Sequence, residues 1–320
     1  MSAIRVGLCG EYQVGKSLLL NCLLGGDYAL VGDLFATTPF PVVYHWSKRP
    51  VAKLVSADET TGPCFDSHAD FVGHLRQEHC TPEGRARVRQ FATAQLGLPL
   101  EMLRQISLID TPGVNASETD PRPEAGTDQE KALQAVESLD LAIFVVPNKA
   151  FAELSPQAQL LRRISQRRIP CVVLLNCWDN GAWHPDHERN LALVQNVIAP
   201  FAVKLGLRSV SVPQGGKAIA DGQVLRINPA WYQAATGSAE LVERHQWEAK
   251  INNELKGKQP EPAQLRELSR VPDLRRFLFP GRERSVGVNA YCLGTLHRAA
   301  EQWSQTAAQR IQQIKKAVTN

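Results

Sequence analysis

The sequence predicts an α/β fold of three layers, with a central, mostly parallel sheet between helices. Three observations carry that prediction. Residues 4–9, 106–109, 141–146 and 171–175 are short, nearly unbroken apolar runs of strand length, the pattern of strands covered on both faces. Chain long enough for a helix lies between them, as parallel neighbours require. The first run passes through a glycine-bearing turn into Leu18-Leu19-Leu20, which opens a helix. Composition agrees: 320 residues, 43% hydrophobic and 21% charged, describe neither a disordered chain nor a coiled coil. A chain of this length buries enough surface to fold without disulfides or a structural metal. The 36 Lys and Arg against 32 Asp and Glu leave a net charge of +4, too little to argue for nucleic acid as a partner. Seven cysteines, an odd count with no C-x-x-C, include Cys9, Cys22 and Cys171 inside apolar runs, where a reduced cysteine acts as a small hydrophobe. No run approaches the roughly 20 apolar residues of a membrane span, and the N-terminus carries no cleavage-site pattern. The expectation is a soluble, cytoplasmic protein without an integral membrane segment.

Immediately after the first strand stands Gly10-Glu11-Tyr12-Gln13-Val14-Gly15-Lys16-Ser17, a G-x-x-x-x-G-K-S sequence between strand and helix. Its chemistry explains its residues. Glycines let the backbone N–H groups curl around phosphates, and the helix N-terminus adds its dipole. Lys16 offers a point charge to the β- and γ-phosphates, and the Ser17 hydroxyl offers a ligand to Mg²⁺. Residues Gly10 to Ser17, with Leu18 behind them, are therefore the candidate nucleotide-binding segment.

Further along, the 106–109 strand runs into Asp110-Thr111-Pro112-Gly113, a D-x-x-G. A carboxylate at a strand end can hold Mg²⁺, and the Gly113 amide can sense a γ-phosphate. The 171–175 strand ends in Asn176-Cys177-Trp178-Asp179, an N-x-x-D. The Asp179 carboxylate can accept two hydrogen bonds from guanine N1–H and the exocyclic amine, a pattern adenine does not offer. Either short motif alone is weak. Their order, each at the C-terminal end of an apolar strand, makes the set specific.

On these residues the chain resembles the P-loop GTPases, and more closely the bacterial dynamin-like G domains, from residue 1 to about 180 and more faintly to about 280. The resemblance implies a P-loop NTPase G domain over residues 1–280, with insertions at about 47–104 and 213–262, and a helical tail over 281–320. It implies that a switch I threonine in Ala36-Thr37-Thr38-Pro39-Phe40-Pro41 binds Mg²⁺, with Thr38 favoured and Thr37 the alternative. Residues 110–116 look like the family's switch II. Residues 151–164, with Ser155 and an amphipathic helix, look like its segment after the fourth strand, and 269–278 like its last G-domain helix.

Around the first insertion, Thr38 and Asp110 stand 72 positions apart, far more than a single hairpin needs. Residues 41–46 and 51–57 read as strands. Residues 69–78 and 83–96 read as helices, the second with Val88, Phe91, Ala92 and Leu96 near one face. Cys64, His68, His74, His79 and Cys80 in this interval match no zinc-ligand pairing. Between 213 and 262 lies a Gly-, Gln- and Pro-rich accessory stretch, interrupted by 219–227 and a helical 238–255. The tail offers one long helix over 286–318, with Leu293, Leu296, Ala300, Trp303, Ala307, Ile311 and Ile314 at helical spacing. That stripe packs either on the G domain or on a protein partner or second copy. The long stalk of dynamin-like proteins has no counterpart, so membrane scission by this chain alone is not expected, although peripheral membrane contact is compatible with it. Basic residues near Arg282, Arg284, Lys315 and Lys316 read as a solvated face.

Two motifs depart from the family. The fourth has Cys177 where a lysine is usual, and the fifth is blurred, with Ser211 and Val212 of Val210-Ser211-Val212-Pro213 the best candidates for backbone contact to the base. The expected reaction is attack of water on the γ-phosphate of GTP, with Lys16, Gln13, Thr38 and Gly113 in catalytic roles and Ser17, Thr38 and Asp110 around Mg²⁺. Val114 occupies the place where Ras-like enzymes carry a water-orienting glutamine. The resemblance implies compensation by transient homodimerisation through the G domain. Gln13 would then stabilise the transition state directly or through K⁺, and turnover of the monomer would be slow. The alternative is a nucleotide-gated binding module of negligible hydrolysis that recruits a partner protein; a third reading is an ATP-using P-loop enzyme.

Overall fold

The computed structural model describes residues 3–31, 39–58, 60–114, 125–147, 156–167, 169–176, 224–237 and 261–279. The strands are β1 (Ile4–Gly10), β2 (Val42–Trp46), β3 (Val51–Ser56), β4 (Thr61–Phe65), β5 (Phe91–Leu98), β6 (Ile106–Asp110), β7 (Leu141–Pro147), β8 (Cys171–Asn176) and β9 (Val224–Ile227). The helices are α1 (Lys16–Leu24), α2 (His68–His79), α3 (Pro82–Arg89), α4 (Ala125–Glu137), α5 (Pro156–Gln166), α6 (Pro229–Thr236), α7 (Pro262–Leu268) and α8 (Val271–Leu278).

The nine described strands form one sheet in the order β4-β3-β5-β2-β6-β1-β7-β8-β9. From β6 to β9 every pairing is parallel, and β2 reverses against β6. The parallel half places the C-terminal ends of β1, β6, β7, β8 and β9 along one edge, where ligands of open α/β sheets bind. Alternation divides its side chains between two faces. Cys9, Ile109, Ala142, Phe144, Val146, Cys171, Val173 and Leu175 join Ala132 and Val136 of α4 and Leu160, Leu161 and Ile164 of α5 in one buried cluster. Leu8, Leu108, Ile143, Val145, Val172 and Leu174, equally buried, point the other way. Helix α1 is buried over eight of its nine residues, its first turn packed through Leu18 on Ala230 of α6 and Leu265 of α7.

The interval 47–104 widens the sheet. The expected strands at 41–46 and 51–57 form as β2 and β3, and the expected helix at 69–78 forms as α2, capped by the Ser67 hydroxyl on the Asp70 N–H at 3.0 Å. The expected helix over 83–96 does not. It stops at Arg89, and Phe91–Leu98 is β5, parallel to β2 on one side and antiparallel to β3 on the other. Ala94, Leu96 and Leu98 are buried at alternate positions, and Gly97 lies where a Cβ would come within 2.6 Å of the Ser47 Cβ. Pairing to two strands outweighs the helix-forming alanines. Lys131 of α4 fastens the turn, donating to the carbonyls of Arg89 at 2.8 Å and Phe91 at 3.2 Å.

Part of the 213–262 stretch is likewise structural: Val224–Ile227 is the edge strand β9, and α6 follows it onto α1 through the Asn228 cap. The chain divides into units of residues 1–274 and 275–320; of the second, 275–279 are described, ending α8 with Phe279 N–H on the Arg275 carbonyl at 2.8 Å. The tail helix expected over 286–318 and the helix expected over 238–255 lie outside the described residues. Among the described residues no helix is long and apolar enough to cross a membrane, and no group of three His, Cys, Asp or Glu could hold a metal ion.

Candidate nucleotide-binding site

The phosphate loop begins where β1 must pass β7 closely. Gly10 has φ +149, and a Cβ there would meet the Val145 carbonyl oxygen at 2.4 Å, so only glycine fits. Gln13 at φ 59 and Gly15 at φ 86 are left-handed on either side of Val14. Alternation of this kind lines up main-chain N–H groups along the inside of a loop as an anion cradle. Gly15 then caps α1, whose first N–H groups have no helical partners and face the same space.

Lys16 is 7% exposed, and its Nζ donates to the Glu11 carbonyl at 2.8 Å and more weakly to the Gly10 carbonyl at 3.4 Å. Burial pulls its ammonium below the ordinary lysine value, and the nearby Asp110 carboxylate opposes that pull. The charge is thus folded over its own loop. Ser17 Oγ donates to Asp110 Oδ2 at 2.8 Å. Asp110 is 1% exposed at the end of β6, level with Leu8 of β1. A hydroxyl and a carboxylate oxygen in contact are hard oxygen donors of the type that Mg²⁺ takes, and these two residues fit that ion. Behind them Cys9 is held as a neutral thiol, pushed up to about 12 chiefly by burial.

The start of the D-x-x-G segment is laced to the phosphate loop. Tyr12 N–H donates to the Val114 carbonyl at 2.9 Å, and Val114 N–H to the Gly10 carbonyl at 3.3 Å. A Cβ on Gly113 would lie 2.5 Å from Tyr12 Cα, so the third glycine is a packing requirement as well as a candidate γ-phosphate sensor. From the end of β8, Asn176 Nδ2 donates to the Val14 carbonyl at 2.8 Å. The fourth motif therefore holds the first.

Gly10, Glu11, Tyr12, Gln13, Val14, Gly15, Lys16, Ser17, Asp110, Gly113 and Asn176 meet at this edge of the sheet. Leu18 contributes only backbone, because its side chain is buried against α6 and α7. Gln13 is exposed on the loop crest. Thr37, Thr38, Cys177, Trp178, Asp179, Ser211 and Val212 lie outside the described residues. Two supporting residues were not foreseen. Asn21 of α1 accepts from the Tyr28 and Ala29 N–H groups through Oδ1 and donates to the Ala29 carbonyl, fixing the chain after α1. Gln157 of α5 donates to the Glu11 carboxylate. The Asn21 role was readable as a polar residue within an apolar helix; the Gln157 contact joins residues 146 positions apart and had no local signal.

The chain has relatives among known proteins. The family described as 50S ribosome-binding GTPase matches residues 5–177. Dynamin-like protein 2 of Campylobacter jejuni is 26% identical over 117 residues, 37% of this chain and 18% of that protein. Isoniazid-induced protein IniA of Mycobacterium tuberculosis is 36% identical over 115 residues, 35% of this chain and 17% of that protein. A solved structure of an oligomerised bacterial dynamin pair aligns with a TM-score of 0.44 and 17% identity, over 83% of this chain and 36% of that one. The chain thus spans less than a fifth of the length of these curated relatives.

Proposed function

The chain belongs to the 50S ribosome-binding GTPase family, matched from residue 5 to residue 177, and from that premise we propose that it binds GTP and hydrolyses it to GDP and phosphate with Mg²⁺. The observation that carries the reading is the convergence of Lys16, Ser17 and Asp110 under a loop that Asn176 clamps. Ser17 and Asp110 hold Mg²⁺ together with Thr38 of switch I. When bound, the ion offsets charge on the β- and γ-phosphate oxygens. Lys16 leaves the Glu11 carbonyl for those oxygens, and the Gly113 amide marks the γ-phosphate. Asp179 selects guanine, and Ser211 and Val212 border the base. Residues 1–280 act as the G domain, and 281–320 as a tail that packs on the G domain or docks a partner or a second copy.

Val114 has no group to orient water, and its backbone is tied to Gly10 and Tyr12. Positioning of the attacking water is therefore incomplete in one copy, and basal turnover is slow. A second G domain completes the site, with Gln13 on the loop crest stabilising the developing charge directly, through its amide N–H groups, or through K⁺. The second reading, a nucleotide-gated binding module, draws on Cys177 in place of the usual lysine.

Calorimetric titration of GTP, GDP and ATP into the wild-type chain and Lys16→Ala tests the site. Guanine nucleotides should bind and the variant should not; equal affinity for ATP would remove the guanine assignment. Phosphate release measured against protein concentration separates the two readings. A specific rate that rises with concentration supports the dimer-stimulated enzyme, and a rate equal in K⁺ and Na⁺ and unchanged in Gln13→Ala would remove Gln13 from its site. Negligible release at every concentration supports the module.

A further inference from the structure

Helix α5 carries a polar residue where its packing calls for an apolar one. Gln157, in its first turn, is 4% exposed, on the same helix as Leu160, Leu161 and Ile164 of the buried cluster. Its Nε2 donates to the Glu11 carboxylate in the phosphate loop. Its Oε1 is buried with no hydrogen-bond partner among the described residues. An amide that buries one unsatisfied acceptor destabilises the fold, and an apolar residue of similar size would avoid that cost. The fold tolerates the amide at the one place where it grips the loop.

What it grips matters. The Glu11 carbonyl is the nearer seat of the Lys16 ammonium, and Glu11 forms the bridge to Val114 that joins the loop to the D-x-x-G segment. Glu11 also places a negative charge beside a loop that must accept a polyanion. Holding that carboxylate against α5 fixes both its direction and the carbonyl of the same residue. Helix α5 is a firm base for this, since its Leu160, Leu161 and Ile164 are buried in the cluster shared with α4 and the sheet.

We propose that Gln157 is a positioning residue of the nucleotide site: through the Glu11 carboxylate it sets the loop geometry that presents Lys16 to the phosphates. The inference rests on the GTPase reading above.

The test uses the full chain and compares wild type, Gln157→Leu, Glu11→Gln and the exchanged pair Glu11→Gln/Gln157→Glu, in which donor and acceptor change sides. GDP and GTP affinities are measured by calorimetry beside thermal melts of the nucleotide-free proteins. Gln157→Leu should melt at or above the wild-type temperature yet bind both nucleotides about tenfold more weakly, the scale of one hydrogen bond to a charged group. The exchanged pair should recover at least half of the loss on a logarithmic scale, which a merely structural role would not produce. Should Gln157→Leu fail to fold, Gln157→Asn, with the same chemistry and a shorter reach, takes its place. Affinity of the Gln157 variant within twofold of wild type, or an exchanged pair no better than the weaker single variant, overturns the inference while wild-type binding leaves the GTPase reading standing. Wild-type protein that binds no guanine nucleotide overturns both.

Discussion

Asn176 and Gly15 stand in mutual contact across the nucleotide site. The amide nitrogen that holds the Val14 carbonyl at 2.8 Å lies where a Cβ on Gly15 would come within 2.5 Å of it. The end of β8 and the phosphate loop are therefore fitted closely to each other. Asn176→Ala removes one neutral hydrogen bond and should weaken GDP binding about three- to tenfold. Gly15→Ala both pushes on that amide and places a side chain at φ 86, so its loss should exceed tenfold. Calorimetry on the two variants checks the order; a Gly15→Ala chain that binds better than Asn176→Ala would contradict it.

Ser17 and Asp110 make a second test, since they meet at 2.8 Å and both offer oxygen to Mg²⁺. Asp110→Asn keeps the shape and an acceptor for the Ser17 hydroxyl but removes the buried charge opposite Lys16. Hydrolysis should fall about a hundredfold, in the range for loss of one group that stabilises transition-state charge. Its Mg²⁺ requirement should shift to higher concentration. Phosphate release titrated with Mg²⁺ reads both effects, and an unchanged Mg²⁺ midpoint would take Asp110 out of the metal site.

Lys16 separates function from stability. Its ammonium is buried, and burial is the largest influence on it, outweighing the attraction of Asp110. A charge held in this way costs stability when no phosphate is present. Lys16→Met combined with Asp110→Asn keeps both side-chain shapes and discards both buried charges, so that no counter-charge is left unpaired. The double variant should lose nucleotide binding and yet melt higher than wild type without nucleotide, by about 2–4 °C for each kcal/mol regained in a domain of this size. Calorimetry and thermal melts on the same preparation check the pair of outcomes, and a lower melting temperature would show that the contacts of Nζ with the Glu11 and Gly10 carbonyls, with the attraction of Asp110, outweigh the burial.

These residues were legible in the sequence because each motif is contiguous and stands at the end of a strand that is apolar throughout. Lys16, Ser17, Asp110, Gly113 and Asn176 needed no knowledge of distant contacts. Phe91–Leu98 was misread for the opposite reason. Ala92 and Ala94 favour helix, and Val88, Phe91, Ala92 and Leu96 fall near one helical face, whereas the strand is dictated by pairing with β2 and β3. Thr61–Phe65 carries Gly62 and Pro63, both depleted in strands, and survives as an edge strand, where a proline is tolerated. The same limit hid Gln157, whose partner is fixed by the packing of α5 and not by anything near it in the chain.

His68 gives the site's surroundings a pH dependence. Its Nε2 meets the Tyr28 carbonyl, which also accepts the Tyr44 hydroxyl at 3.3 Å, while Asn21 holds the Tyr28 N–H at 2.9 Å. Through this contact α2, from the interval 47–104, is fastened to the chain that leaves α1. Burial holds the imidazole below its ordinary value of 6.5, with the Tyr28 carbonyl and the Asp27 charge acting in the opposite direction. The unfolded chain therefore takes up this proton at a higher pH than the folded one. The contribution is present in full above about 6.5 and is lost as pH falls below it, until the folded value is passed. His68→Gln keeps an amide donor for Tyr28 but does not titrate, so its melting temperature should fall less than that of wild type between pH 7.5 and 5.5. Thermal melts of both proteins across that range decide the matter, and parallel curves would mean that His68 keeps its unfolded proton affinity in the fold.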